Sequence, residues 1–180
     1  MDHGFSRAKE MWELSDGAIF MLREIAHVES MQDLVVKNLE NISTLAYIDH
    51  FKHAHTLKET IFKSMTVILK GIGKKKFRGY VELYLDPTFR AANNLENLNM
   101  AVAAQDFILD MEKTYGPGIF KAILEGHDDR YIQDLERFKQ EGAKSGPKDF
   151  VYPPQPAGAL NPFGIGGPDM NVMTKAPWAK

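Results

Sequence analysis

Glutamate and histidine at Glu-x-x-His spacing are the first residues whose types and spacing could support chemistry. Glu24 and His27 have this spacing, which directs both side chains to one face of a helix, where they could ligate one metal ion. A di-iron carboxylate bundle needs two such motifs and two further glutamates, and the sequence has no second copy. We therefore interpret this pair as an ordinary surface glutamate and histidine.

Three histidines lie close together at positions 50, 53 and 55. His50 and His53 could share a helix face and, with Asp49 nearby, bind a transition metal. The alternative is a histidine-rich helix end, in which the imidazole groups interact with the last carbonyl groups of the helix. We favour the second interpretation, so the sequence predicts no metal ligands and no cofactor.

The nucleophile and phosphate-binding motifs of common enzymes are absent or incomplete. The chain has no cysteine, which excludes a thiol nucleophile and thiolate-ligated metal sites. No serine stands in a Gly-x-Ser-x-Gly elbow. The segment Gly71-Ile72-Gly73-Lys74 lacks the full phosphate-loop pattern and follows a predicted helix instead of a strand. We therefore predict no catalytic residues and a chain that is not an enzyme.

Five positive charges within nine residues form the strongest local charge feature. They lie in residues 70–78, which we name the basic turn, and belong to Lys70, Lys74, Lys75, Lys76 and Arg78. One interpretation of such a run is a solvated loop; the other is a patch that binds an acidic protein surface or a nucleic acid. Because the whole chain carries a formal charge of −2, we predict a protein partner and disfavour nucleic acid.

The distribution of apolar residues also bears on location. Charged side chains occupy the N-terminal residues where a signal peptide needs an apolar stretch, and no apolar run approaches the ~18 residues of a membrane span. The lack of cysteine agrees with a reducing compartment. We expect a soluble cytoplasmic protein with no cleaved leader and no membrane partner.

Composition changes near residue 142. Seven of the nine prolines and six of the fourteen glycines lie in residues 142–180, a density that prevents a helix or a central strand. We predict a helical body over residues 1–141 and an extended Pro/Gly-rich tail over residues 142–180. Apolar side chains recur through the tail, unlike a Gly/Ser linker, so we expect its aromatic residues to bind partner subunits. These predicted anchors are Phe150, Tyr152, Phe163 and Trp178.

Apolar residues of the body recur at three- and four-residue spacing, which predicts helices joined by short turns. Ser15 is placed to cap a helix whose apolar face includes Ile19 and Leu22. Further along the chain, Gly71 and Gly73 are suitable C-terminal stops for a long helix.

The second half of the body has equally clear helix boundaries. Asp86-Pro87 predicts an N-cap followed by a proline in the first turn of a helix. Asn97 introduces a helix over residues 98–115, with Val102 and Ile108 facing inward. No strand alternation competes with these patterns, so the predicted fold class is all-α.

An offset of 43 residues aligns two of the predicted long helices and the glycines that follow them. This period is typical of HEAT and armadillo repeats, so we predict a HEAT/armadillo-like helical repeat in preference to a plain helical bundle. The aligned pairs are Ile61 with Ala104, Met65 with Ile108, Ile68 with Met111, Ile72 with Tyr115, and Gly73 with Gly116.

The same region resembles a known family. The stretch KETIFKSMTVILKGIGKKKFRGYVELYLDPTFRAANNL, followed by MAVAAQDFILDMEKTYGPGIFKAIL, is similar to the C-terminal helical repeats of the family named for the Parkin co-regulated gene product. These are small HEAT-like proteins of ciliary and flagellar microtubules. The resemblance covers residues 58–124 and implies a non-enzymatic component bound to tubulin or to other axonemal proteins.

Together these features predict a structural subunit of a large intracellular assembly, the ciliary or flagellar axoneme. The helical body is expected to dock on the cytoskeleton, and the tail to hold neighbouring subunits. The alternative is a soluble HEAT/armadillo-type adaptor that binds a peptide on its concave face and uses the tail only as a tether.

Overall fold

The structure, a computed structural model, describes residues 9–144, and over that range it contains helices and turns but no strand. The all-α prediction is therefore confirmed for this part of the chain. Short 3-10 turns precede α2 and α4. The α-helices are α1 (Met11–Ile25), α2 (Gln32–Ala46), α3 (Ala54–Phe77), α4 (Val81–Ala92), α5 (Leu98–Tyr115), α6 (Pro117–Glu125) and α7 (Asp129–Lys144).

The helices pack in two layers. In one layer α3 lies between α1 and α5 and contacts both. In the other layer α4 contacts α2 on one side, and its Phe89 ring stacks on Tyr131 of α7, with ring centroids 4.2 Å apart. The short α6 joins α5 to α7. Among the described residues, no helix is both long and apolar enough to cross a bilayer.

An aromatic cluster joins the two layers. Phe77, Tyr84 and Phe107 are fully buried, and their ring centroids lie 5.7 to 6.3 Å apart. The hydroxyl group of Tyr84 donates a hydrogen bond to the carbonyl oxygen of Leu39, and burial raises the pKa of this phenol. Because the hydroxyl group has a partner, the ring can be buried without a stranded donor.

The 43-residue offset relates residues in similar structural positions. All eight residues aligned ahead of the two glycines are buried. Gly73 has φ 78° and ψ 161°, and Gly116 has φ 90° and ψ 144°, a backbone region that is essentially restricted to glycine. Each glycine therefore interrupts a long helix in the same way, at Gly73 within α3 and at Gly116 after α5.

Gly71 is not a helix stop, because α3 continues through it. A Cβ atom at this position would lie 2.9 Å from the backbone carbon and oxygen of Ala26. The side-chain amide of Gln32 donates hydrogen bonds to the carbonyl oxygens of Gly71, at 2.9 Å, and Ala26, at 3.3 Å. Glycine is therefore needed at position 71 because two helices approach closely there.

The predicted start at Asp86-Pro87 is wrong, because both residues lie inside α4. Pro87 is buried between the core residues Leu85 and Phe89. The hydroxyl group of Thr88 donates a hydrogen bond to the carbonyl oxygen of Tyr84. Burial of these side chains keeps the helix continuous across a residue that usually ends or kinks one.

Two smaller expectations also fail. Ser15 does not cap α1: the helix starts at Met11, Glu10 and Glu13 form its capping box, and the Ser15 hydroxyl group donates to the Met11 carbonyl oxygen at 3.3 Å. Val102 of α5 is 45% exposed instead of facing inward. By contrast, α5 spans the predicted residues, and Asn97 caps it by accepting a hydrogen bond from the Met100 amide at 3.0 Å.

Candidate functional site

Most of the basic turn lies directly after an interruption of α3. Gly73 leaves the helical conformation, and Lys74, Lys75 and Lys76 follow in a separate helical turn. A residue with a side chain would be strained at the φ and ψ of Gly73. The glycine therefore determines where the three lysines leave the axis of α3.

Buried neighbours hold the backbone of this turn in place. Ile72 before the lysines and Phe77 after them are both buried, and the Phe77 ring packs edge-on against Phe107. The hydroxyl group of Tyr115, on α5, donates a hydrogen bond to the carbonyl oxygen of Lys74 at 3.1 Å. The turn is therefore fixed at both ends and at one carbonyl group between them.

Two of the five cations are paired with acidic residues from other helices. Lys70 Nζ lies 2.8 Å from Asp110 Oδ2 on α5, and Lys76 Nζ lies 3.2 Å from Asp33 Oδ1 on α2. The sequence predicts neither pair, since Lys70 is 40 residues from Asp110 and Lys76 is 43 residues from Asp33. These pairs reduce the charge that the turn presents to a partner.

The other three cations have no acidic partner within ion-pair distance among residues 9–141. They are Lys74, Lys75 and Arg78, and all three side chains are exposed. A positive surface on a fixed backbone can attract an acidic partner with little reorganisation when the partner binds. These three residues form the part of the basic turn that is available for binding.

The pKa values of two titratable groups near the basic turn reflect its positive charges. Burial raises the pKa of Tyr115 to about 12, and the positive charge of Arg78 acts in the opposite direction. On α5, burial and the neighbouring Asp110 raise the pKa of Asp106, whereas Lys70 lowers it. Lys70 therefore compensates an acidic pair on α5 instead of adding to the free positive surface.

The predicted aromatic anchors lie outside the described residues. This applies to Phe150, Tyr152, Phe163 and Trp178, and to the predicted tail from residue 145 onward, whereas α7 continues to Lys144. Their role in partner binding stays a prediction.

The other residues singled out for chemistry occupy separate places. Glu24 pairs with its neighbour Arg23 at 3.2 Å, and His27 is exposed. The ring of His53 stacks on Trp12, with centroids 4.7 Å apart. Within the described part of the chain, no group of three or more histidine, aspartate or glutamate side chains is arranged to hold a metal ion.

Tyr115 is the residue of the site that sequence reasoning missed as a functional element. The sequence predicts it only as a helix residue aligned with Ile72, yet its hydroxyl group fixes the backbone of the basic turn. The available signal was the 43-residue offset itself, which places Tyr115 directly before the second glycine.

Comparison with protein-family models, curated proteins and solved structures yields no match.

Proposed function

We propose that this chain is a non-enzymatic structural subunit of a large intracellular assembly, the ciliary or flagellar axoneme, and that its helical body docks on an acidic protein surface. The observation that carries this proposal is a set of three exposed cations, Lys74, Lys75 and Arg78, which have no acidic partner among the described residues and lie on a turn with a fixed backbone. Tubulin or other axonemal proteins are the proposed partners.

The proposal includes a HEAT/armadillo-like organisation of the body, and two features of the helical packing support it. The two-layer packing places α1, α3 and α5 side by side, and the glycine turns at Gly73 and Gly116 share one backbone conformation. Stacked helical repeats serve as binding surfaces because each unit adds exposed turns at a regular position along the stack.

The tail has a second role in this proposal. Phe150, Tyr152, Phe163 and Trp178 would each occupy a pocket on a neighbouring subunit, since buried aromatic side chains dominate the free energy of many interfaces. The proposal therefore separates electrostatic docking by the body from apolar anchoring by the tail.

The docking role is tested by removing the charges of Lys74, Lys75 and Arg78. In the variant Lys74→Gln/Lys75→Gln/Arg78→Gln, the ion pairs of Lys70 and Lys76 stay in place. The matched control is Lys52→Gln/Lys113→Gln/Lys121→Gln, which removes the same charge from exposed lysines elsewhere. Co-sedimentation with microtubules and with salt-extracted axonemes is measured across a salt series.

We expect the turn variant to bind about tenfold more weakly at low salt and to lose most of its salt dependence. The control should bind like the wild type. Equal binding and equal salt dependence of the two variants would show that the basic turn is only a solvated loop.

The proposed location in the axoneme and the proposed role of the tail are tested in ciliated cells that express the tagged chain. We expect the wild type to remain with the axoneme after detergent and salt extraction. The variant Phe150→Ser/Tyr152→Ser/Phe163→Ser/Trp178→Ser should be released at lower salt. If this variant is retained as firmly as the wild type, the adaptor function is the better explanation.

A further inference from the structure

The apolar side chains that remain exposed are concentrated at one end of the helical stack. Seven of the thirteen large apolar side chains exposed within residues 9–141 lie between positions 11 and 34. At the opposite end, the described part of α7 has no exposed large apolar side chain, and its exposed positions are mostly charged. A terminal unit of a helical stack needs a polar outer face in water. α7 has such a face, whereas the α1–α2 pair does not.

One stripe on α1 contains three of these seven side chains. It consists of Met11, Leu14, Ala18 and Met21, and we name it the α1 stripe; Ile25 continues the spacing but is partly buried against the core. Met11 is 79% exposed, Leu14 52% and Met21 57%. The alternating three- and four-residue spacing is that of the a and d positions of a coiled coil. Ile19 and Leu22 are buried on the adjacent face, so α1 is apolar both on a face that the described residues cover and on one that they leave exposed.

A cleft opens beside the N-terminal end of the α1 stripe. Its volume is about 380 Å³, and it is lined by Met11 and Ser15 of α1, by Leu45 of α2 and by Ile48, which follows α2. Trp12 forms part of the wall and is held by stacking on His53 and by a 2.8 Å hydrogen bond from its Nε1 to a carboxylate oxygen of Glu10. The cleft is therefore preorganised to accept one large apolar side chain.

The charge around the α1 stripe distinguishes between the partners that could bind there, a second copy of the chain or a different protein. Residues 9–46 carry seven acidic and three basic side chains, a net charge of −4. Glu10 and Glu24 directly precede Met11 and Ile25 and so occupy positions that flank the stripe, where charges select the partner of a helix. A second copy would bring this acidic segment against itself, which is unfavourable. A partner with basic flanks would be attracted.

We propose that the α1 stripe and its cleft bind an amphipathic helix of another protein. The partner helix has an apolar stripe at heptad spacing, lysine or arginine at the flanking positions, and one large apolar side chain that enters the cleft. The acidic flank of this surface has the opposite charge to the basic turn, so the chain would contact two chemically different partners.

Two synthetic helical peptides test the proposal. Both carry leucine at every a and d position over three heptads; one has lysine and the other glutamate at the e and g positions. Affinity for the full chain is measured by fluorescence anisotropy of labelled peptide. We expect the lysine peptide to bind at least about tenfold more tightly than the glutamate peptide, with a difference that shrinks as salt is added.

Protein variants locate the binding surface. Leu14→Ser/Met21→Ser should weaken binding of the lysine peptide by about tenfold or more, whereas Leu95→Ser/Leu98→Ser, at exposed leucines elsewhere, should leave it unchanged. In a Trp178→Phe background, Trp12 is the only tryptophan, and its emission should shift when the lysine peptide binds. Circular dichroism checks that every variant is folded.

Several results would overturn the proposal. Equal affinity for the two peptides would remove the argument from charge, and full affinity of Leu14→Ser/Met21→Ser would remove the argument from the α1 stripe. A dimer in sedimentation that this variant abolishes would identify a second copy as the occupant. Binding that appears only after deletion of residues 1–8 would identify that segment as the occupant.

Discussion

The turns at Gly73 and Gly116 have the same backbone design and different surfaces. Both glycines have positive φ, and four positions later each turn has a fully buried phenylalanine, Phe77 or Phe120. Between glycine and phenylalanine the first turn has Lys74-Lys75-Lys76, and the second has Pro117-Gly118-Ile119. The two turns share a glycine with positive φ and a buried phenylalanine. The positions at which the turns differ face solvent.

The residues that stabilise the two turns therefore differ from the residues that could bind a partner. A buried phenylalanine and a glycine with positive φ contribute to folding in either turn. The exposed lysines of the first turn contribute little to folding because their charges remain in water. Substitutions in the two turns should therefore have parallel effects on the free energy of unfolding and different effects on binding.

The largest effect is expected from removing the buried rings. Phe77→Ala and Phe120→Ala should each lower the free energy of unfolding by about 3–5 kcal/mol, because each leaves a cavity in the core. Phe77→Ala should cost more, since the Phe77 ring also packs on Tyr84 and Phe107. Urea denaturation followed by circular dichroism measures both values. A loss below about 1 kcal/mol in either variant would contradict the shared role of the rings.

The glycines should show the next largest effect. Gly73→Ala and Gly116→Ala should each cost about 1–3 kcal/mol, because alanine is strained at these φ and ψ values although space for its Cβ is available. Gly17→Ala is the control: this exposed glycine lies inside α1 with no atom near its Cβ position, so alanine should stabilise the protein by roughly 0.5–1 kcal/mol. Losses of equal size at all three positions would exclude backbone strain as the cause.

The turn at Gly73 also has a hydrogen bond from the Tyr115 hydroxyl group to its backbone. Tyr115→Phe should cost about 0.5–1.5 kcal/mol at neutral pH by removing the bond to the Lys74 carbonyl oxygen. Because the pKa of Tyr115 is raised from 10.0 to about 12, its neutral form is favoured in the folded state. The free energy of unfolding that this raised pKa contributes is fully present below pH 10 and is lost as the pH rises to about 12.

Unfolding measurements between pH 9 and about pH 12 test this linkage. The variant should lose less stability over this interval than the wild type. The remaining loss should include a contribution from Tyr131, whose pKa burial and Asp86 also raise to about 12. Identical alkaline profiles of variant and wild type would contradict the raised pKa of Tyr115 in the folded state.

The smallest effect on folding is expected from exchanging the exposed residues. Lys74→Gln and Lys75→Gln, or Gly118→Lys and Ile119→Lys in the other turn, should each change the free energy of unfolding by no more than about 0.5 kcal/mol. Moving the lysines to the second turn should not restore binding to the acidic partner, since charge at the first turn is required. Restored binding would show that overall basicity, and not position, determines recognition.

The local pattern of the sequence was sufficient to predict the helical fold class, the bounds and N-cap of α5, and the two glycines at equivalent positions. These features depend on residues within about four positions of one another, where periodicity and capping act. The same pattern failed at Asp86-Pro87 because burial of α4 against its neighbours outweighed the local preference of proline.

The tertiary structure decided which residues of the candidate site are available. Packing of α3 against α5 and α2 brought Asp110 to Lys70 and Asp33 to Lys76 and left Lys74, Lys75 and Arg78 unpaired among the described residues. It also gave Gly71 its role in helix packing instead of helix termination. These contacts join residues 39 to 45 positions apart, so they depend on how the helices pack and not on any local pattern.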